Sequence, residues 1–390
     1  MDFAIPEELR MLRDAARRFV AEELLPLEPQ YANEHDIPDD VRARLQEKAK
    51  ALGFWAFDLP EEFGGGGVNT LGMCLVFEEL AKCNVPAFRA PTVFTPYLGP
   101  VLFRCNPEQR EKYLFPVIRG EKRTCFALTE AGAGSDPGQM KTSAVCEGDH
   151  YRINGSKIFI TGADKADFIQ LFARTGQGSK GPTVTCFLVD RDTPGVRLGQ
   201  NFALMSPDRP WEIVFEDALV PVSRIVGEVD KGWELARGFL DMGRLIHGPK
   251  AVGRAERALQ LAVAYANERQ TFGEPLARRQ AIQWMIADST VELHAARMMT
   301  YHAAWKADQG LDYHAEASMV KLYADEMLLR VVDRAIQIHG GIGLSRELPL
   351  EVMFRDARSR LITEGSSEMQ RIIIAGEILS RRGEVNRFGG

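Results

Sequence analysis

Glu364 is the residue whose setting first suggests chemistry. It stands in Leu361-Ile362-Thr363-Glu364-Gly365-Ser366-Ser367-Glu368, between two stretches with helical spacing. A carboxylate beside Gly and after apolar residues reads as a partly buried base with a raised pKa, because burial disfavours the charged form. The same residues also read as an ordinary helix start, with Ser366 or Ser367 capping and Glu368 in the first turn. A second candidate is Leu128-Thr129-Glu130-Ala131-Gly132-Ala133-Gly134-Ser135-Asp136, where an apolar run ends in a turn of small residues. Such a turn lets backbone N–H groups and hydroxyls approach an anion or a flat ring. Its spacing is not Gly-x-Gly-x-x-Gly and no βα alternation surrounds it, which disfavours a Rossmann site. His294 and His302 lie eight apart on one helix, too far for a shared metal, and His-Glu-x-x-His is absent, so no metal site is expected. Gly64-Gly65-Gly66-Gly67 precedes no Gly-Lys-Ser/Thr and reads as a plain turn. No Gly-x-Ser-x-Gly elbow and no paired His and Cys motifs point to a hydrolase.

The elements that must position these residues fall into three zones. Residues 1–123 read as helical: Leu9, Leu12, Ala16, Phe19 and Val20 recur at helical spacing, and 41–52 and 71–80 read as further helices. Residues 124–229 change period. Runs at 124–129, 157–161, 168–172, 184–189 and 211–215 are β-branched or aromatic, bounded by Gly, Asp, Asn or Pro, and suggest a small antiparallel barrel or sandwich. Residues 230–390 return to helix. From Leu276 to Leu348 there is no proline, and Val320, Tyr323, Met327, Val331, Ala335 and Ile338 form one apolar face. Long helices with short links predict an antiparallel bundle. The fold class is therefore mostly α, an α+β chain of three domains.

Composition agrees with a folded chain. The 390 residues are 45% apolar and 26% charged, which excludes a disordered chain. No apolar run approaches the roughly 20 residues of a membrane span. A net charge of -6 argues against general nucleic-acid binding but leaves room for a local cationic pocket. Cys74, Cys83, Cys105, Cys125, Cys146 and Cys186 form no Cys-x-x-Cys pair and read as reduced thiols of a cytoplasmic protein. Met1 to Glu8 resembles neither a secretory signal nor a transit peptide, and Arg387 to Gly390 matches no retrieval or lipidation signal.

Five segments, in order along essentially the whole chain, together resemble the acyl-CoA dehydrogenase family of flavoproteins. Phe126 to Asp136 resembles its first signature, and Asn154 to Thr161 its flavin-stacking strand. Glu268 to Gly273 resembles the helix end that reaches a neighbouring subunit's FAD, and Gln337 to Gly343 the next FAD segment. Glu364 to Arg371 resembles the catalytic segment. The resemblance implies an N-terminal helical domain, a central antiparallel β-barrel and a C-terminal four-helix bundle. It also implies a homotetramer built as a dimer of dimers, FAD as cofactor, and an acyl-CoA substrate. Electrons would pass to an electron-transferring flavoprotein, in fatty acid metabolism of the β-oxidation type.

The implied chemistry is α,β-dehydrogenation: a base removes the α-proton while the β-hydride passes to flavin N5. Glu364 matches the usual base. The stretch where some members place the base instead, Phe239 to Arg244, has no Glu. The Glu364 backbone N–H, with a ribityl hydroxyl, would hold the thioester oxygen as it gains charge. Phe126, Leu128, Thr129, Gly134, Ser135, Phe159 and Thr161 would line or bond the isoalloxazine. Phe159 stands where many members have Trp. Arg269, Thr271, Phe272, Gln280, Gln337 and Gly341 would contact the diphosphate or adenine side, and Ser366 and Glu368 belong to the same FAD set. Ser135, Asp241, Arg244 and Gly365 would contact substrate, Asp241 and Arg244 near the CoA moiety. Thr363 replaces a common Tyr, His247 and His339 fall in stretches usually apolar or aromatic, and Leu204 to Pro210 departs from a usual Met-Gly-x-Arg loop. These departures point to an unusual acyl chain or to neutral packing swaps. The rival readings are an acyl-CoA oxidase, a nitroalkane-oxidase-like flavoenzyme, and a non-catalytic acyl-CoA or flavin-binding protein.

Overall fold

The computed structural model describes residues 4–86, 93–179 and 181–380. The sequence readings at residues 1–3 and 387–390 lie outside them. The chain forms two compact units that interleave along the sequence: Met1–Glu34, Val68–Pro86 and Asp241–Gly390 make one, and His35–Gly67 and Ala87–Leu240 the other. The N-terminal helical zone is therefore shared between them.

The first unit is built of helices. Helix α1 (Glu7–Phe19) follows Pro6, carries Glu7 and Glu8 in its first turn and Arg17 and Arg18 in its last, all favourable to the helix dipole. Helix α3 (Thr70–Leu80) starts at Asn69, whose side chain accepts from the Gly72 N–H. Asp308 caps the same end, accepting from the Thr70 and Leu71 N–H groups at 2.6 and 3.0 Å. Residues 72–80 are all buried, Glu78 and Glu79 included. Those two carboxylates are paid for by partners: Glu78 by Arg297 and Tyr301, Glu79 by Arg17 and Lys82.

Five further helices of this unit follow in the chain. Helix α4 (Gly232–Glu268) runs unbroken past Pro249; its residues 232–240 belong to the second unit. Ala251, Ala255, Ala258, Ala262 and Ala266 line one buried seam of it. Helix α5 (Gln280–Asp308) packs on α6 (His314–His339), and α6 packs on α7 (Leu350–Arg360) and α8 (Ser367–Ser380). Of the apolar face read on α6, Val320, Met327, Val331, Ala335 and Ile338 are buried and Tyr323 partly so. Small side chains on α4 allow close approach: a Cβ at Gly253 would meet the Glu78 carbonyl oxygen on α3 at 1.9 Å.

The second unit contains helix α2 (Asp39–Ala51) and one sheet. Its strands are β1 (Thr124–Ala127), β2 (Ser143–Glu147), β3 (His150–Ile160), β4 (Phe168–Gly178), β5 (Gly181–Asp190), β6 (Val196–Asn201), β7 (Trp211–Pro221) and β8 (Ile225–Val226). Hydrogen bonding orders them β6-β7-β3-β2-β4-β5-β8, with β1 beside β4. The pairing is mostly antiparallel, as expected, but β1–β4 and the single β2–β4 pairing are parallel. The sequence shows the central strands and misses β2, β6 and β8. These are short or largely exposed and lack the apolar run that marks a buried strand. Among the described residues no helix is long and apolar enough to cross a membrane.

Gly253→Ala is expected to lower stability by roughly 1–3 kcal/mol, although Ala is the better helix former, because the backbone of α3 blocks the added methyl group. A denaturant midpoint unchanged or raised in this variant would show that α3 and α4 are not held at this spacing.

Candidate active site

Glu364 leads the first unit's candidate site. It follows α7 and adopts a left-handed backbone, φ 55°, which costs a non-glycine residue about 1–3 kcal/mol. Gly365 continues the turn at φ 92°. The turn is held from below by Gln370, whose side-chain N–H₂ donates to the Gly365 carbonyl at 2.9 Å. Ser366 accepts from the Met369 N–H at 3.4 Å and so caps α8. No acceptor among the described residues takes the Glu364 backbone N–H.

One stripe of α4 faces the Glu364 carboxylate. Gly243, His247 and Lys250 recur at steps of four and three, so they share a face. A Cβ at Gly243 would lie 2.3 Å from Glu364 Oε2, which is why that position carries no side chain. His247 Nε2 stands 3.7 Å from the same oxygen. Behind His247 lies Asp325 of α6, wholly buried, with Oδ2 2.6 Å from His247 Nδ1. Arg360 donates to Asp325 at 2.8 Å and to the His247 carbonyl at 2.9 Å. Lys321 donates to the Arg360 carbonyl at 2.9 Å.

The expected raised pKa of Glu364 is not what this setting produces. Burial does push the carboxyl upward, but the His247 ring, the Lys250 ammonium and the Arg360 guanidinium outweigh it and hold it at about 2. The side chain is still 39% exposed. Burial also raises Asp325, and Arg360, His247 and Lys321 bring it down to about 2. Burial is the main force that lowers Lys250, to about 8.

The remaining expected residues of this unit are placed as follows. Asp241 accepts from Arg244 at 3.0 Å and pairs with His314 Nδ1 at 2.7 Å. Arg269 is exposed beside a small hairpin, β9 (Gln270–Thr271) and β10 (Glu274–Pro275). At its tip Phe272 is 98% exposed with φ 52°, and Arg279 lies over its ring. Thr271 Oγ1 is buried and takes no partner among the described residues. Gln280 opens α5, and Gln337, Gly341 and Glu368 are exposed. His339 is a packed core histidine: its ring stacks on Tyr265 and Nδ1 faces the Ala335 carbonyl at 2.7 Å. Among the described residues no three His, Cys, Asp or Glu side chains are placed to hold a metal.

The second unit carries the other candidate surface. Phe126 and Leu128 are half-buried, and Thr129 follows β1. Its carbonyl accepts from the Ile158 N–H at 2.9 Å and ties the turn to β3. Phe159 bulges out of β3 with φ 57° and a ring 49% exposed, tilted against Phe202 at 4.7 Å. Gly134, Ser135 and Thr161 are exposed, and a Cβ on Gly134 would meet nothing within 4 Å. An outward aromatic ring beside an open turn bearing hydroxyls fits a flat, hydrogen-bonding ring system such as a flavin.

Sequence reasoning missed what holds that surface. Lys157, 0% exposed, donates to Glu130 at 2.7 Å and to the Leu128 carbonyl at 3.0 Å. Glu130 also accepts from the Lys141 and Thr142 N–H groups. Burial lowers Lys157 to about 8, while Glu130 pulls it back up. Removing one partner of a buried pair strands the other charge, so Lys157→Met is expected to cost about 3–5 kcal/mol. Flavin affinity should fall with it; a variant of wild-type melting point and full flavin content would mean the pair does not hold the turn.

Comparison with known proteins identifies the family. Family models described as the acyl-CoA dehydrogenase N-terminal, middle and C-terminal domains match residues 6–121, 125–218 and 230–379. The chain is 38% identical to (R)-benzylsuccinyl-CoA dehydrogenase of Thauera aromatica over 97% of each chain. It is 37% identical to the caffeyl-CoA reductase–Etf complex subunit CarC of Acetobacterium woodii, over 96% of this chain and 99% of that one. Among solved structures, butyryl-CoA dehydrogenase from Megasphaera elsdenii superposes with a TM-score of 0.86 at 33% identity, covering 97% of this chain and 100% of that one. The chain belongs to the acyl-CoA dehydrogenase family and is an FAD-dependent oxidoreductase.

Proposed function

We propose that the chain removes the α-proton and β-hydride of an acyl-CoA thioester to give the trans-2-enoyl-CoA, with Glu364 as the base. The observation that carries this reading is the Glu364 carboxylate itself. It is ionised, partly exposed, set on strained backbone, and served by a glycine where a side chain would collide. Asp241, the nearest alternative on α4, is already engaged by Arg244 and His314.

FAD, when bound, supplies the acceptor for the β-hydride at N5. Phe126, Leu128, Thr129, Phe159 and Thr161 offer the wall and bonds for its ring, with Gly134 and Ser135 at the turn. Arg269 presents a planar fork suited to a diphosphate. Thr271, Phe272, Gln280, Gln337 and Gly341, with Ser366 and Glu368, complete the FAD set. Glu364 Oε2 takes the α-proton. Its untaken backbone N–H stabilises the thioester oxygen as charge builds there. Closing the site over substrate excludes water and raises the carboxylate's basicity from its low resting value. Ser135, Asp241, Arg244 and Gly365 would hold the substrate, Asp241 and Arg244 on the side of the CoA moiety.

The working form we propose has three domains, 1–123, 124–229 and 230–390, assembled as a homotetramer. Trp284, Val291 and Phe272 supply exposed apolar area on the first unit for a second copy. Electrons would leave to an electron-transferring flavoprotein, the kind of partner carried in the name of the Acetobacterium relative. The setting would be cytoplasmic acyl-CoA oxidation of the β-oxidation type; five buried free thiols and an exposed one suit a reducing compartment.

Anaerobic titration with saturated acyl-CoAs of short, long, branched and ring-bearing chains, read by flavin absorbance, is expected to bleach the flavin with one class. Reoxidation of reduced flavin by an enoyl-CoA, without bleaching by any saturated one, would assign the reductase direction. Rapid reoxidation by oxygen would favour an oxidase. Glu364→Gln is expected to keep FAD and acyl-CoA binding and lose turnover by at least a thousandfold. Normal turnover in that variant would move the base elsewhere.

A further inference from the structure

The Asp325–His247 pair behind Glu364 is not needed to hold an ordinary carboxylate base, and it asks for its own explanation. It lies within the first unit, on three elements: His247 on α4, Asp325 on α6, and Glu364 after α7. His247 is 7% exposed and Asp325 wholly buried, so neither ring nor carboxylate has bulk water as its partner.

The cluster's charges decide where protons sit. His247 is faced by Asp325 from α6, by Arg360 from α7, by Glu364, and along its own helix by Lys250 and Arg244, while Lys321 of α6 stands beside Asp325. Asp325 accepts from Arg360 and stays ionised, so its short contact to Nδ1 is a hydrogen bond in which Nδ1–H donates. The other ring nitrogen faces Glu364 Oε2 across 3.7 Å, beyond hydrogen-bond length. That gap leaves Nε2 and Oε2 without a direct bond. A proton arriving on Oε2 closes it. The cations around Glu364 favour its ionised form, so a proton does not remain there at neutral pH. An imidazole is the stronger base of the two group types.

We propose that Glu364, His247 and Asp325 form a three-member proton relay, in which His247 takes over the substrate proton that Glu364 has collected. This rests on the reading of Glu364 as the base. The step balances: the substrate α C–H bond breaks and its electron pair stays on the acyl group as Glu364 Oε2–H forms. That O–H then breaks as His247 Nε2–H forms, leaving Glu364 ionised. Asp325 keeps its charge and its bond to Nδ1–H, and it stabilises the imidazolium. Glu364 is thereby free for a further proton transfer while the ligand still covers it. His247 acts through Glu364 and is a positioning residue, as is Asp325.

The relay makes a prediction that packing alone does not. A proton parked on an isolated carboxyl under a bound ligand returns to the same carbon. A proton handed to His247 frees Glu364, whose side chain is 39% exposed, to take a deuteron from solvent and return it to the carbon. In D2O, the FAD-loaded enzyme is given the acyl-CoA that bleaches its flavin, butyryl-CoA being tried first. Flavin bleaching is followed by absorbance, and deuterium at the α-carbon of recovered acyl-CoA by mass spectrometry. His247→Phe is expected to lower the ratio of exchange to bleaching at least tenfold. Asp325→Asn is expected to lower it in the same direction by less, because an amide still accepts from Nδ1–H but does not stabilise the imidazolium. Both rates falling in step, with the ratio unchanged, would overturn the relay and leave His247 a packing residue. If His247→Phe does not fold, Asp325→Asn decides by the same ratio. Bleaching by no acyl-CoA, with no reoxidation of reduced flavin by any enoyl-CoA, would remove the Glu364 reading and the relay together, whereas bleaching with an unchanged ratio removes the relay alone.

Discussion

Asp325 has no exposed surface and yet carries a charge, and much of the helical unit is arranged around that fact. A buried carboxylate is tolerable only when hydrogen bonds and opposite charges replace the water it has lost. Here the replacements come from His247 on α4, Arg360 on α7 and Lys321 one turn back on α6. The first two contacts tie α4 and α7 to α6. Arg360 is the last residue of α7, so its bond to Asp325 fixes the point from which the chain turns toward Glu364. Gln370 then holds the far side of that turn. The left-handed Glu364 backbone is sustainable because both of its flanks are fixed.

The sheet unit solves a similar problem with a different pair. The turn after β1 is made of small residues that pack little of their own surface. Its shape comes instead from Lys157, which enters from β3 and meets Glu130 and the Leu128 carbonyl. Two adjacent N–H groups, from Lys141 and Thr142, finish the carboxylate's hydrogen bonding. The open face of the turn is left for a ligand because its inner face is occupied by charge.

Local patterns in the sequence were enough to find helices such as those over 41–52 and 71–80 and the apolar face of α6, since apolar spacing is a local signal. The central strands were legible for the same reason. The Glu364 segment stood out through its own neighbours. What local reading could not find was anything depending on distant partners. His247 and Asp325 are 78 residues apart, and Lys157 and Glu130 are 27 apart. The pKa of Glu364 illustrates the difference: its apolar neighbours in sequence implied a rise, while the cations that reach it across space dictate a fall. A polar residue in an apolar helical stretch, as at His247 or Asp325, was the one available hint that a partner existed.

Gly243 shows that two stretches of chain compete for one small volume. The space beyond its Cα is filled by the Glu364 carboxylate arriving from another helix. A carboxylate could be delivered to nearly the same point from either backbone, but both cannot be seated at once. Keeping Glu364 seated therefore depends on α4 retaining a vacancy at position 243.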